Sequence, residues 1–151
     1  SAALSAGPAG CPGDTPRSRA VLFDGAKGDA ITLSTLRATV HLGAHADAPS
    51  HYSKAGGTIE QQPIGLYVGA AQVISVSVDR GGLVTPDHVR PDIRAPRVLL
   101  RTGTWPDPTE FNTDFAALDP ALVDMLAAPQ GLPLGGDTPP VERADRAAHP
   151  R

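Results

Sequence analysis

Residues 41–51 read H-L-G-A-H-A-D-A-P-S-H and contain three of the five histidines in the chain. Asp47 lies between the second and the third of these histidines. Imidazole nitrogens and carboxylate oxygens are ligands that Zn²⁺, Mn²⁺ and Fe²⁺ share in proteins. The spacing His41-x3-His45-x-Asp47 lets one short turn of chain direct all three side chains at a single ion. This stretch therefore predicts a metal site with these three residues as ligands.

The residues around these ligands favour a turn with a proton-transfer group at its end. Gly43 allows the backbone to turn sharply between the two histidines, and Pro49 stiffens the exit from the turn. His51 follows directly, and an imidazole can exchange protons near neutral pH, so we predict it as the catalytic acid and base. The alternative is a set of ordinary solvated loop histidines. That alternative explains each residue singly, but not their crowding in a chain otherwise poor in histidine.

The composition excludes several classes of protein. At 151 residues the chain is long enough for a sizeable core, and we predict one domain over residues 1–151. The formal net charge of −3, without a basic run, gives no reason to expect a nucleic-acid partner. No apolar run approaches the roughly 18 residues of a membrane span, and no signal-peptide pattern opens the chain. The single cysteine, Cys11, is typical of a reducing cytoplasm, which we predict as the location.

Hydrophobic patterns predict several short strands and few helices. Residues 71–79 alternate strictly between apolar and polar side chains, and residues 31–42 alternate less regularly towards the first histidine of the motif, which we place at a strand end. The other predicted elements are strands at 20–23, 97–102 and 132–134 and a helix from about 119 to 128. In that helix Leu122, Met125 and Leu126 form one apolar stripe that should face the core. This mixed order of elements indicates an α+β fold.

The pattern H-x-G-x-H-x-D-x-P-x-H resembles the signature of the metal-dependent cyclase-like hydrolases. Within that superfamily the chain is most similar to the bacterial kynurenine formamidases, because further segments match in the same order. These segments are Pro12-Gly13-Asp14-Thr15-Pro16, residues 64–74, residues 97–102 and Gly136-Asp137-Thr138-Pro139. The similarity covers nearly all of residues 1–145. It implies the swivelling β/β/α architecture of that family, with a mixed sheet and few helices.

The resemblance also implies a reaction and a fuller metal site. The family hydrolyses N-formyl-L-kynurenine to kynurenine and formate in tryptophan degradation, and it forms homodimers. Its aspartate that matches Asp47 bridges two zinc ions, so one or two Zn²⁺ ions are expected, with Mn²⁺ as the other candidate. A further histidine ligand matches His149, while the glutamate ligand belongs to a C-terminal part of the family domain that would lie beyond this sequence. Cys11 occupies the position of a family aromatic that lines the substrate pocket.

Two other functions stay open. Cys11 in place of the aromatic leaves room for another cyclase-like hydrolase of cyclic amides or lactones, similar to isatin hydrolase. A chain that keeps only the first set of ligands could instead be an inert metal-binding or assembly module. Turnover of formylkynurenine, of isatin, or of neither in the presence of Zn²⁺ or Mn²⁺ distinguishes the three functions.

Overall fold

The computed structural model describes residues 12–89, 93–107, 109–127 and 133–138. Within these ranges the chain forms seven strands, one α-helix and several short 3-10 turns. In chain order the strands and the helix are β1 Ser18–Phe23, β2 Leu33–Arg37, β3 Gln72–Ser75, β4 Leu83–Val84, β5 Val98–Arg101, β6 Ala117–Leu118, α1 Pro120–Ala127 and β7 Leu134–Gly136. This mixture of short strands with one helix confirms the α+β prediction. No helix in the described ranges is long and apolar enough to cross a membrane.

The chain divides into two compact units. The first comprises Ser1–Ala46 with Asp107–Phe111, and the second comprises Asp47–Pro106 with Asn112–Arg151. The expectation that residues 1–151 act as a single domain stays a prediction.

The first unit is built on the antiparallel pair of β1 and β2. The connection between the strands begins at Asp24, whose carboxylate accepts a hydrogen bond from the Ala26 N–H at 3.0 Å. Gly28 ends this short turn with a φ of 100°, a conformation that glycine adopts without strain. The sequence pattern placed His41 at a strand end. β2 ends at Arg37, so His41 instead follows the strand after a short connection.

The second unit contains a parallel three-stranded sheet in the order β3-β5-β7 and a separate parallel pair, β4 with β6. Across the sheet Ile74 is paired with Leu100, and Leu100 with Gly136. The core joins apolar side chains from both groups of strands and from α1. Its buried members are Ile74, Val76, Val84, Val89, Val98, Leu100, Ala116, Leu122 and Leu126.

The α-helix buries a narrower stripe than its sequence predicts. Leu122 and Leu126 are 0% and 3% exposed, whereas Met125 is 42% exposed. Positions i and i+4 of this helix face the core, and position i+3 lies at the edge of the buried stripe. The prediction that Met125 fills the core was therefore wrong.

The strands also differ in detail from the sequence prediction. The strand predicted over residues 71–79 is shorter, because β3 ends at Ser75. The run at 97–102 predicted a fully buried strand, but Leu99 is 43% exposed although Val98 and Leu100 on either side of it are buried. Successive side chains in a strand point to opposite faces of the sheet, so a continuous apolar run can still have an exposed member.

Candidate metal centre

His41 and His45 face each other across a turn at Gly43. Gly43 has a φ of 69°, in the left-handed region that glycine adopts readily. The Nδ1 atom of His41 lies 2.9 Å from the Nε2 atom of His45. The two rings meet edge to face, with their centroids 4.9 Å apart. The turn expected from the sequence at Gly43 therefore brings the two imidazoles into contact.

A backbone contact fixes the proton on the ring of His45. Its Nδ1 atom lies 2.9 Å from the carbonyl oxygen of Gly43. A carbonyl oxygen can only accept, so Nδ1 of His45 must donate and carries the hydrogen. In the neutral ring the Nε2 atom then presents its lone pair towards His41. A hydrogen bond from one ring nitrogen to a backbone carbonyl is the arrangement that orients histidine ligands in metal sites.

Asp47 and His51 each offer one ligand atom, and these atoms lie within 4.8 Å of one another. His41 precedes them in the same continuous stretch of chain. His41 and Asp47 are half-buried, whereas His51 is exposed. Imidazole nitrogen and carboxylate oxygen are both ligands of Zn²⁺, so Asp47 and His51 offer two neighbouring donors of the right kind.

A 3-10 turn, Pro49–His51, carries the third histidine of the motif. Its N-cap residue, Ala48, is extended, as expected for a residue that precedes proline. The N–H of His51 donates to the Ala48 carbonyl at 2.9 Å. The His51 ring meets the ring of Tyr52 edge to face, with centroids 4.6 Å apart. The sequence pattern did not indicate Tyr52 as a neighbour of the site, because ring packing between adjacent residues depends on backbone angles that no spacing rule encodes.

The four predicted site residues of this stretch form two pairs in the structure. His45 contacts His41, and Asp47 and His51 offer neighbouring ligand atoms. The division of these residues into ligands and acid/base therefore stays a prediction. Cys11 and His149 lie outside the described residues, so their predicted roles stay predictions as well.

The donor set fits a divalent ion of the Zn²⁺ type. It combines imidazole nitrogens with one half-buried carboxylate, Asp47, and this mixture of nitrogen and oxygen donors is typical of catalytic zinc sites. The 2.9 Å separation between the ring nitrogens of His41 and His45 is shorter than a carbon contact. Such a separation is that of a hydrogen bond between the two ring nitrogens.

Asp137, in the matching segment 136–139 of the sequence, holds the ends of two strands of the sheet together. Its carboxylate accepts hydrogen bonds from the Thr102 N–H at 2.9 Å, the Thr102 hydroxyl at 2.8 Å and the Gly103 N–H at 2.8 Å. Desolvation by neighbouring residues raises the pKa of Asp137, but the two N–H groups and the hydroxyl together outweigh it and leave the pKa below its ordinary value. The matching Gly136-Asp137-Thr138 segment is therefore a structural link between the ends of β5 and β7.

Comparisons with known proteins identify relatives of this chain and solved structures with a similar fold. The sequence model of the Cyclase family, described as "Putative cyclase", matches residues 8–143. The chain belongs to this family. A curated relative, the kynurenine formamidase of Bordetella petrii, is 35% identical over 135 residues, which make up 88% of this chain and 64% of that protein.

Two solved structures share the fold. The first, described as a "potential metal-dependent hydrolase with cyclase activity", superposes with a TM-score of 0.70 at 25% identity and covers 85% of this chain and 60% of that one. The second, a "predicted metal-dependent hydrolase from Bacillus stearothermophilus", has a TM-score of 0.67 at 28% identity, with 89% and 63% covered. These matches confirm the cyclase-like fold. The chain spans less than two thirds of the length of each of these three proteins.

Proposed function

We propose that this protein is a metal-dependent hydrolase that cleaves the formamide of N-formyl-L-kynurenine to kynurenine and formate, a step of tryptophan degradation. The observation that carries the proposal is the pairing of ligand-type residues within one stretch of chain, since His45 contacts His41 and the ligand atoms of Asp47 and His51 lie within 4.8 Å of one another. The similarity to the kynurenine formamidase of Bordetella petrii supports the substrate. The similarity to two structures described as metal-dependent hydrolases supports the class of chemistry.

We assign His41, His45 and Asp47 as the ligands of Zn²⁺, with Mn²⁺ as the second candidate ion. The hydrogen bond from Nδ1 of His45 to the Gly43 carbonyl supports this assignment, because it leaves Nε2 as the nitrogen that carries the lone pair. A bound divalent ion supplies Lewis acidity, which acidifies water and polarises the formyl carbonyl. By the same resemblance, His149 and Asp47 would hold a second ion if one is bound.

His51 has the proton-transfer role in this proposal. Amide hydrolysis moves a proton from the attacking water to the leaving nitrogen. One imidazole can accept that proton as the carbon–oxygen bond forms and can release it to the nitrogen as the carbon–nitrogen bond breaks. The exposure of His51 gives a substrate access to its ring, and Tyr52 packs against one side of that ring.

The geometry also favours a second role for His51, as a ligand. Its ligand atom lies within 4.8 Å of that of Asp47. The variant His51→Ala distinguishes the two roles. If His51 is the acid/base, this variant keeps its affinity for Zn²⁺ and loses turnover by about 100- to 10,000-fold. If His51 is a ligand, the affinity for Zn²⁺ falls together with the turnover.

We also propose a cytoplasmic homodimer. The dimer is proposed from the resemblance to the kynurenine formamidases, and the cytoplasmic location is supported by the single cysteine and by the same resemblance. Size-exclusion chromatography with light scattering tests the dimer. A monomer at micromolar concentration would contradict it.

Metal analysis combined with an activity assay tests the main proposal. Purified protein is assayed for metal per chain by elemental analysis and, on the same sample, for hydrolysis of formylkynurenine and of isatin. Bound Zn²⁺ with hydrolysis of formylkynurenine supports the proposal. Hydrolysis of isatin alone indicates a hydrolase of cyclic amides, and bound metal with neither reaction indicates an inert metal-binding module.

A matched pair of histidine variants makes this assay specific. His45→Ala should lose metal and activity together. His88→Gln serves as the control, because His88 lies outside the motif and accepts a hydrogen bond from the Thr85 N–H at 3.0 Å, a capping contact that glutamine can also make. Equal loss of metal from both variants would contradict the proposed ligand set.

A further inference from the structure

The loop that follows the third histidine returns to the turn that carries it. The N–H of Ser50 donates to the carbonyl of Gly57 at 3.1 Å, and the N–H of Gly56 donates to the carbonyl of Ser53 at 2.9 Å. These bonds hold the loop directly against the turn that ends at His51.

Gly56 approaches one peptide unit of that turn so closely that no side chain fits. A Cβ atom at this position would lie 2.5 Å from the carbonyl oxygen of Pro49 and 2.6 Å from the nitrogen of Ser50. Non-bonded atoms normally lie about 3.5 to 4.0 Å apart, and these two are backbone atoms that cannot rotate away. The φ of Gly56 is not positive, so the close approach alone requires glycine here.

We infer that Gly56 is a positioning residue for His51. Ser50 directly precedes His51, so a side chain at position 56 that displaces the nitrogen of Ser50 also moves the His51 ring relative to Asp47. The inference rests on the proposed function, because the position of His51 matters only if His51 serves the metal centre as ligand or as acid/base.

The chain offers two glycines as controls. The nearest atoms to a Cβ atom at Gly57 would be side-chain atoms of Gln61 and Gln62, not backbone. A Cβ atom at Gly65 would meet nothing within 4 Å. The variants Gly57→Ala and Gly65→Ala therefore add the same methyl group without pressing on the turn.

The experiment compares Gly56→Ala with both controls in the full chain. The imidazole resonances of His51, identified by their loss in His51→Ala, are followed by NMR, and the affinity for Zn²⁺ is measured by titration together with kcat and KM. We expect Gly56→Ala to shift the His51 resonances. We also expect it to reduce the same quantity that His51→Ala reduces, Zn²⁺ affinity or kcat, by about 10- to 100-fold. The two controls should remain within about twofold of the wild-type protein, as is typical of substitutions that create no clash.

A double variant separates positioning from a general loss of structure. If Gly56 acts through His51, Gly56→Ala should have no further effect in the His51→Ala background, because two changes in one interacting unit are not additive. A further loss of the same size in that background would overturn the inference. Unchanged His51 resonances in Gly56→Ala, or an equal loss in Gly57→Ala, would also overturn it.

A milder variant covers the case in which Gly56→Ala does not fold. Ala55→Gly loosens the same loop without adding an atom where Gly56 meets the Pro49 peptide. We expect it to lower Zn²⁺ affinity or kcat, whichever His51→Ala lowers, by about two- to fivefold. No loss in that variant would overturn the inference. A wild-type protein that neither binds Zn²⁺ nor hydrolyses formylkynurenine would remove the proposed function itself. A functional wild type with an unaffected Gly56→Ala would remove only this inference.

Discussion

The Nδ1 atom of His41 lies 2.9 Å from the Nε2 atom of His45, and the other ring nitrogen of His45 donates to the carbonyl of Gly43. The backbone therefore dictates which nitrogen of His45 is available, before any ligand is considered. The nitrogen that remains faces the ring of His41.

Zn²⁺ should raise the thermal stability of the protein through His41. At a free Zn²⁺ concentration about 100 times its Kd, binding to the folded state adds about 2.7 kcal/mol to the free energy of unfolding. For a chain of this size that corresponds to an increase of about 5 to 10 °C in Tm. The variant His41→Ala should lose this increase, whereas His88→Gln should retain it. Differential scanning fluorimetry with Zn²⁺, Mg²⁺ or a chelator measures it, and an equal increase in His41→Ala would contradict the prediction.

Asp137 should stabilise the fold in a pH-dependent manner. Its pKa is lowered in the folded state, so its contribution is present above the pKa of an unfolded carboxyl group and is lost as the pH falls through the lower folded value. Asp137→Asn places an amide N–H against the N–H of Gly103 and should reduce the free energy of unfolding by about 1 to 2 kcal/mol at pH 7.

Urea unfolding at several pH values checks this prediction. The difference between the wild-type protein and Asp137→Asn should shrink below about pH 4, where the unfolded carboxyl group is protonated. Asp124→Asn, in an exposed position of α1, provides the control and should stay within about 0.5 kcal/mol of the wild type. A difference for Asp137→Asn that grows in acid would contradict the assigned role.

Replacement of Arg97 by lysine should destabilise the protein. Its guanidinium group donates to the carbonyl oxygens of Leu66 at 2.7 Å and Ala70 at 3.2 Å, and also to that of Gly65. A lysine ammonium group cannot reproduce this planar fork, so at least one carbonyl would lose its partner. We expect Arg97→Lys to reduce the free energy of unfolding by about 1 to 3 kcal/mol. Arg101→Lys, in an exposed position at the end of β5, is the matched control. Equal losses of stability in the two variants would refute the prediction.

Two apolar residues of α1 should differ strongly in their contribution to stability. Leu122 is fully buried, and its replacement by alanine should reduce the free energy of unfolding by about 2 to 5 kcal/mol. Met125 is 42% exposed, and its replacement by alanine should have an effect below about 1 kcal/mol. Chemical denaturation of both variants measures the difference. Similar effects would mean that Met125 is buried in solution.

Several features of the fold follow from local sequence. Alternation within residues 71–79 correctly indicated one apolar face, since Ile74 and Val76 are both buried. The turn residue Gly43 also behaves as expected, at a positive φ. Such features depend on the chemistry and backbone preferences of neighbouring residues, which the sequence states directly.

The sequence by itself predicted the class of site and determined the family. The kinds of ligand and their spacing within residues 41–51 are properties of a continuous segment, and the chain does belong to the Cyclase family. Only the tertiary structure decided which members of an apolar pattern are buried, as for Leu122 against Met125, and which glycine lies too close to neighbouring backbone for a side chain to fit. Burial and close approach depend on atoms brought together by folding: the core that α1 packs against, and the peptide of Pro49 on which Gly56 lies.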